Sequence, residues 1–265
     1  MKTAHLAIAA LVLVPVLYVL WRVDVLPGLW DLQHWGKSPS EVAQEERAAY
    51  RAGRLAQFKD AETLYRINER LDRHAALDLP GPVVFLGSST LERFDAEAAL
   101  PGAWVLNRGI GDETADLLAA RLELSLPAEA WSRAGGFVLY VASPDFRRLD
   151  VTAEQLERRT ARVLDILDGL APGPPRLLLG LLPERNLDSE RRAVLEEANA
   201  RLASLADARP EVTFLPTDRV PLRDAEGQLS ATHAEDDLHL NDLGYQVLGR
   251  WIRLEGGPVS TLLAP

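Results

Sequence analysis

The sequence predicts an α/β domain built on an open parallel sheet with helices on both faces, and two observations carry that prediction. From Pro82 onward, short continuous apolar or β-branched runs recur at residues 83–86, 104–106, 137–141, 177–182 and 212–215. Runs of this length without polar alternation suit strands covered on both faces. Between them, residues 113–124, 152–170 and 189–208 carry apolar side chains at three- and four-residue steps, as one helical face does. Thr152 and Gln155 add a capping box to the second of these. Strand and helix in alternation imply a sheet sandwiched by helices, with ligands gathered at the carboxyl ends of the strands.

What precedes the sheet has a different character. Residues 4–21 form an almost unbroken apolar run between Lys2 and Arg22, about the length that spans a hydrocarbon core. This predicts a transmembrane anchor over residues 1–22; a cleaved signal peptide is the alternative, although no small-residue cleavage site follows. Trp21, Trp30 and Trp35 cluster beyond the run, as aromatic rings do at a membrane interface. Lys2 and the terminal amine favour an inside N-terminus, which puts the globular part on the extracytoplasmic, periplasmic side. Residues 23–37, with Pro27, Gly28 and Gly36, read as a tether. Ser38, Pro39 and Glu41 then give a helix start, and residues 38–80 read as a lead-in that is helical to about Ala76. The main domain takes residues 81–265.

Composition narrows the chemistry. A chain of 265 residues suits one α/β domain with an appendage. A net charge of -10 repels phosphate backbones, so nucleic acid is not an expected partner. There is no cysteine, which leaves hydroxyl, carboxylate, amine or imidazole groups for any covalent step.

Two segments carry candidate chemistry. The first strand breaks at Gly87 into Ser88, Ser89 and a helix start, which seats a hydroxyl where backbone N–H groups and a helix dipole favour developing negative charge. An ordinary turn with a helix cap would read the same way. Near the C-terminus, Asp236 and His239 stand three residues apart, a spacing that can set a carboxylate against an imidazole nitrogen. The plain alternative is a surface histidine beside acids, next to a helix capped by Asn241. A metal set of His233, Asp236 and His239 is poorer, because no second cluster supports it; neither metal nor cofactor is expected. His5, His34 and His74 lie in the anchor, tether and lead-in.

Together these segments resemble the SGNH/GDSL hydrolase family over roughly residues 82–251. Gly87-Ser88-Ser89 stands where that family has Gly-Asp-Ser, and Asp236-x-x-His239-Leu240-Asn241-x-x-Gly244-Tyr245 matches its last block. Asn107-Arg108-Gly109-Ile110-Gly111-Asp112-Glu113-Thr114 looks like its second block. The resemblance implies a flavodoxin-like three-layer sandwich on a five-stranded parallel sheet. It also implies hydrolysis or transfer of acyl esters on small molecules, lipids or glycans, with Ser89 as nucleophile and Asp236/His239 as its base. The oxyanion would be held at Ser89, Gly111 and Asp112.

Three departures from the family pattern bear on activity. Ser88 replaces the acid before the nucleophile. Asp112 stands where the oxyanion-binding glycine normally sits. Pro144 replaces the third-block asparagine and offers neither an amide side chain nor an N–H, with Ser143 or Arg147 as candidate substitutes. The expected function is a membrane-anchored ester hydrolase; the alternatives are an envelope glycan O-acyltransferase and a catalytically impaired binding domain.

Overall fold

The computed structural model describes residues 37–148 and 151–264. The expected anchor and nearly all of the tether lie outside them, and among the described residues no helix is long and apolar enough to cross a membrane. The lead-in starts as its capping pattern predicts: the Ser38 N–H donates to the Glu41 carboxylate at 2.6 Å, and Ser38 Oγ accepts from the Glu41 N–H at 3.3 Å. The helix that follows, α1 (Pro39–Phe58), does not run on to Ala76. Asp60 accepts the Thr63 N–H at 3.0 Å and starts a second helix, α2 (Ala61–Ala76). A carboxylate that bonds a nearby backbone N–H competes with helix continuation, and periodicity alone does not register this. Ile67 and Leu71 of α2 are buried and join the core.

Five strands follow: β1 (Val83–Gly87), β2 (Val105–Asn107), β3 (Gly136–Tyr140), β4 (Arg176–Leu179) and β5 (Val212–Leu215). They pair in parallel in the order β2-β1-β3-β4-β5, the flavodoxin-like arrangement. The helices between them are α3 (Ser89–Glu92), α4 (Ala96–Ala99), α5 (Ala115–Arg121), α6 (Ala128–Ser132), α7 (Ser143–Arg148), α8 (Ala153–Leu170) and α9 (Ser189–Asp207). After β5 come α10 (Asp242–Glu255) and α11 (Pro258–Leu262). Helices α5, α8 and α9 pack side by side, while α10 packs with α4 and α11, and α11 covers β3 and β4. Right-handed crossovers sort the two groups onto opposite faces, because the chain moves one way from β1 to β2 and the other way from β2 to β5. β1 and β3, buried along their whole length, meet at the centre.

Two elements are shorter than the apolar pattern suggests. β4 ends at Leu179 because the next N–H groups find other partners: Leu181 N–H donates to Asn199 Oδ1 at 2.7 Å and Leu182 N–H to the Tyr140 hydroxyl at 3.2 Å. The helix expected over 113–124 is regular only from Ala115 to Arg121, with Thr114 as its cap and one 3₁₀ turn after it. Glu113 is excluded because its side chain turns inward to meet Arg121 Nε at 2.8 and 3.0 Å. Both groups are buried. Burial pushes the Glu113 carboxyl up, against the opposing pull of the Arg121 hydrogen bonds.

Arg121 also donates to the Arg108 carbonyl at 2.9 Å and to Ser125 Oγ at 2.7 Å. Arg108 in turn donates from Nε to the Ser125 carbonyl at 2.9 Å, with its guanidinium 4.7 Å from the centre of the Phe58 ring. This knot fixes the loop after β2. Arg121→Met leaves Glu113 buried without its partner and is expected to cost about 3–5 kcal/mol in urea denaturation, most of it recovered in Arg121→Met/Glu113→Leu. Equal stability of the single variant and the parent would contradict this account.

Candidate active site

The nucleophile candidate owes its position to a close approach between strands. A Cβ on Gly87 would lie 2.3 Å from the Tyr140 carbonyl oxygen, so β1 can end beside β3 in this way only with glycine. Ser88 then takes an extended conformation as helix cap, and Ser89 becomes the first residue of α3. A first-turn N–H has no acceptor within its own helix, so α3 itself offers none to the Ser89 N–H.

Four residues cannot hold a helix by themselves. The second block supplies the support. Asn107 Nδ2 donates to the Leu91 carbonyl and its Oδ1 accepts the Gly109 N–H at 2.9 Å. Arg108 N–H donates to the Phe85 carbonyl at 2.8 Å and Ile110 N–H to the Gly87 carbonyl at 2.9 Å. Gly109 presses so near α3 that a Cβ there would meet the Glu92 nitrogen at 2.3 Å.

The acid and base come from one turn. Asp236 Oδ1 accepts the N–H groups of Leu238 at 2.7 Å and His239 at 2.6 Å, while Oδ2 lies 2.7 Å from His239 Nδ1. His239 Nε2 lies 3.0 Å from Ser89 Oγ. Burial pushes the Asp236 carboxyl up, but the hydrogen bonds from the His239 ring and from two backbone N–H groups outweigh it and hold it at about 2. An ionised Asp236 accepts from Nδ1–H and leaves Nε2 as acceptor for the serine proton. Asn241 secures the turn: its Oδ1 caps α10 through the Gly244 N–H at 2.9 Å, and its Nδ2 donates to the Thr232 carbonyl at 2.9 Å. From the loop after β4, the Arg185 N–H donates to the Asp237 carbonyl at 2.8 Å.

The oxyanion candidates sit on the second-block turn. Asp112 takes φ 61°, the left-handed conformation a glycine adopts freely and aspartate adopts with less strain than most residues. Ala142, at the start of the third block, takes φ 68°. From there the chain enters α7, which is helical through Arg148. Pro144 fits because it occupies the first turn, where a missing N–H leaves no acceptor unpaired.

Of the two proposed substitutes for the missing amide, the Ser143 side chain is buried. Arg147 turns its Nε to Glu184 at 3.2 Å. Asp145, fully buried, accepts the Ala115 N–H at 2.8 Å and pairs with Arg159, a structural role at the start of α5. Among the described residues no three His, Cys, Asp or Glu side chains form a set that could hold a metal. Both ring nitrogens of His239 are engaged by Asp236 and Ser89, and His74 meets the Pro80 carbonyl at 2.8 Å.

Ser89, Asp236 and His239 are thus brought together. Of the supports, Asn107 and Arg108 lie in the second block read from the sequence, whereas Arg121 and Tyr140 carried no signal beyond polar side chains set within or beside apolar runs. A serine, an imidazole and a carboxylate in this relation can transfer a proton away from the hydroxyl as it attacks an acyl carbon.

Comparison with known proteins agrees with the geometry. The chain aligns by structure with one named a platelet activating factor from Streptococcus pneumonia, at TM-score 0.61 and 21% identity, over 82% of this chain and 98% of that one. It also resembles a GDSL-like lipase from Bacteroides thetaiotaomicron at TM-score 0.51 and 19% identity, over 69% and 95% of the two chains. A third likeness is to a mutant of an acetyl-xylooligosaccharide esterase from Geobacillus Stearmophilus, at TM-score 0.52 and 18% identity, over 66% and 94%. At these identities the likeness establishes the fold. No curated protein sequence matches this chain. The sequence profile of the GDSL-like Lipase/Acylhydrolase family matches residues 88–247, more than half of the chain and both chemical segments, and the chain therefore belongs to that family.

Proposed function

We propose that this protein is a serine esterase that cleaves acyl esters through a covalent acyl-enzyme. The observation that carries this reading is the relay from Ser89 Oγ to His239 Nε2 at 3.0 Å and from His239 Nδ1 to Asp236 at 2.7 Å. His239 takes the hydroxyl proton as Ser89 Oγ bonds to the ester carbon. It returns that proton to the departing alcohol, and a water repeats the sequence to release the acid. Asp236 holds the tautomer and stabilises the imidazolium. The developing oxyanion is bound by the Ser89 N–H and by an N–H at Gly111 or Asp112. A sugar hydroxyl in place of water would make the same chemistry an acyl transfer to an envelope glycan.

Pro144 supports a second reading, a domain that binds an ester or glycan without turning it over. One missing oxyanion donor slows comparable hydrolases by about 10²–10³-fold without abolishing them, which leaves room for a working enzyme. A fluorophosphonate probe separates the readings: Ser89-dependent labelling, lost in Ser89→Ala, is expected of the esterase, and an unlabelled parent protein would leave the binding domain. In 4-nitrophenyl acetate hydrolysis, His239→Ala should be slower by about 10³-fold or more, while Pro144→Asn, which restores an amide donor, should be faster by about 10-fold.

Acid stability tests the role of Asp236. Its folded carboxyl, at about 2, lies below the ordinary value near 4, so its ionised form stabilises the native state above that ordinary value, and the contribution fades as pH falls toward 2. The difference in Tm between the parent and Asp236→Asn is expected at pH 5–7 and should close near pH 2; a pH-independent difference would rule out an ionic origin.

The apolar run at residues 4–21, with Lys2 before it, supports a single membrane anchor with the esterase domain on the extracytoplasmic side. Protease added to spheroplasts, whose outer barrier has been opened, should then digest the domain, and protection until the cytoplasmic membrane is lysed would place it inside.

A further inference from the structure

A buried acid that the relay does not use points to substrate charge. Glu184, on the loop after β4, is 6% exposed, and its partner is Arg147 Nε at 3.2 Å. Burying a carboxylate is costly, and apolar residues often replace buried ion pairs without loss of stability, so packing alone gives no reason to keep it. Arg191 also acts on Glu184, but its guanidinium is committed to the Phe146 carbonyl and lies 4.6 Å from the centre of the Phe146 ring. Arg147 is arranged differently. Its Nε faces the buried acid, its side chain stays 41% exposed, and among the described residues no other acid pairs with it. The acid holds the guanidinium through Nε, while the side chain keeps an exposed part.

The placement of this guanidinium relates it to the reacting groups. Arg147 lies one helical turn after Ser143 on α7, so the two share a face with Cβ atoms about 6 Å apart. Ser143 follows β3, whose last residue, Tyr140, stands in register with Gly87, two residues before Ser89. On the other side, Arg185, next to Glu184, donates its N–H to the Asp237 carbonyl inside the turn that carries Asp236 and His239. The pair is therefore tied both to the nucleophile segment and to the base segment, at the same carboxyl edge of the sheet.

We propose that Arg147 reads an anionic group on the substrate, so that esters carrying a carboxylate or similar oxyanion near the scissile bond are preferred over neutral ones. This rests on the esterase reading above. The shared chemistry is a planar oxyanion gripped by the guanidinium, and it can come from the acyl or from the alcohol portion.

The test measures the ratio of kcat/KM for paired esters. 4-Nitrophenyl hydrogen succinate against 4-nitrophenyl acetate probes the acyl side, and O-acetylated oligogalacturonate against O-acetylated xylo-oligosaccharide probes the alcohol side. In the parent, one ratio should favour the anionic ester; in Arg147→Gln that ratio should fall about 10-fold through KM, with part of it kept by Arg147→Lys. Arg147→Gln strands Glu184, so Arg147→Gln/Glu184→Gln is measured alongside it. A ratio that does not change, or equal losses on charged and neutral esters, overturns the proposal. Calorimetric binding of the two 4-nitrophenyl esters and the two oligosaccharides to Ser89→Ala, with and without Arg147→Gln, decides it apart from turnover. An inactive parent whose Ser89→Ala form still discriminates by charge through Arg147 would defeat the esterase reading and leave this one standing; no discrimination in binding would defeat this one.

Discussion

The site depends on one hydrogen bond, from Ser89 to His239, joining residues 150 positions apart at a distance of 3.0 Å. Neither end is self-supporting. The serine heads a helix of four residues, which has no cooperative stability of its own, and the histidine rides on a loop between β5 and α10. Each is fixed by polar contacts to main chain rather than by apolar packing alone. Asn107 and Gly109 hold the serine's helix from the β2 side, and Asn241 and Arg185 hold the histidine's loop from the α10 and β4 sides. The sheet supplies the common frame on which these holds act. Its central strands bring the segments after β1 and β3 to one edge.

The strands were legible because a parallel sheet covered on both faces forces unbroken apolar runs, and all five such runs correspond to strands within a few residues. Their ends were less so. The end of β4 is decided by Asn199 and Tyr140, partners brought near by the fold and invisible to local pattern. The break at Asp60 follows from a side chain competing for a backbone donor inside an otherwise helical pattern. Helix α7 is only six residues long, too short for periodicity to register, and Pro144 fits its first turn at no cost in hydrogen bonds.

The same contrast holds at the site. Ser89, Asp236 and His239, picked out by the order of their blocks, stand side by side in the fold, because a family pattern constrains residue type and short spacing. Asn107, Arg121 and Tyr140 act through partners far along the chain, as Asn107 does on Leu91 and Tyr140 on Leu182. No short window contains both members of such a pair. Of the two left-handed residues, Asp112 was marked by its place at a family glycine, while Ala142 was hidden, since alanine does not announce that conformation as glycine does. Both stand on the turns that border the nucleophile, where strain of about 1–3 kcal/mol each is tolerated when surrounding contacts fix the backbone.

One consequence follows from the way Asp236 is bound. Its carboxylate takes two main-chain N–H groups of its own turn as well as the imidazole, so acid and base form a preassembled cassette. Any displacement of this loop carries both groups as a unit, and the tautomer survives the motion. Any error in placing the loop therefore falls on the gap to the hydroxyl and not on the orientation of carboxylate to imidazole.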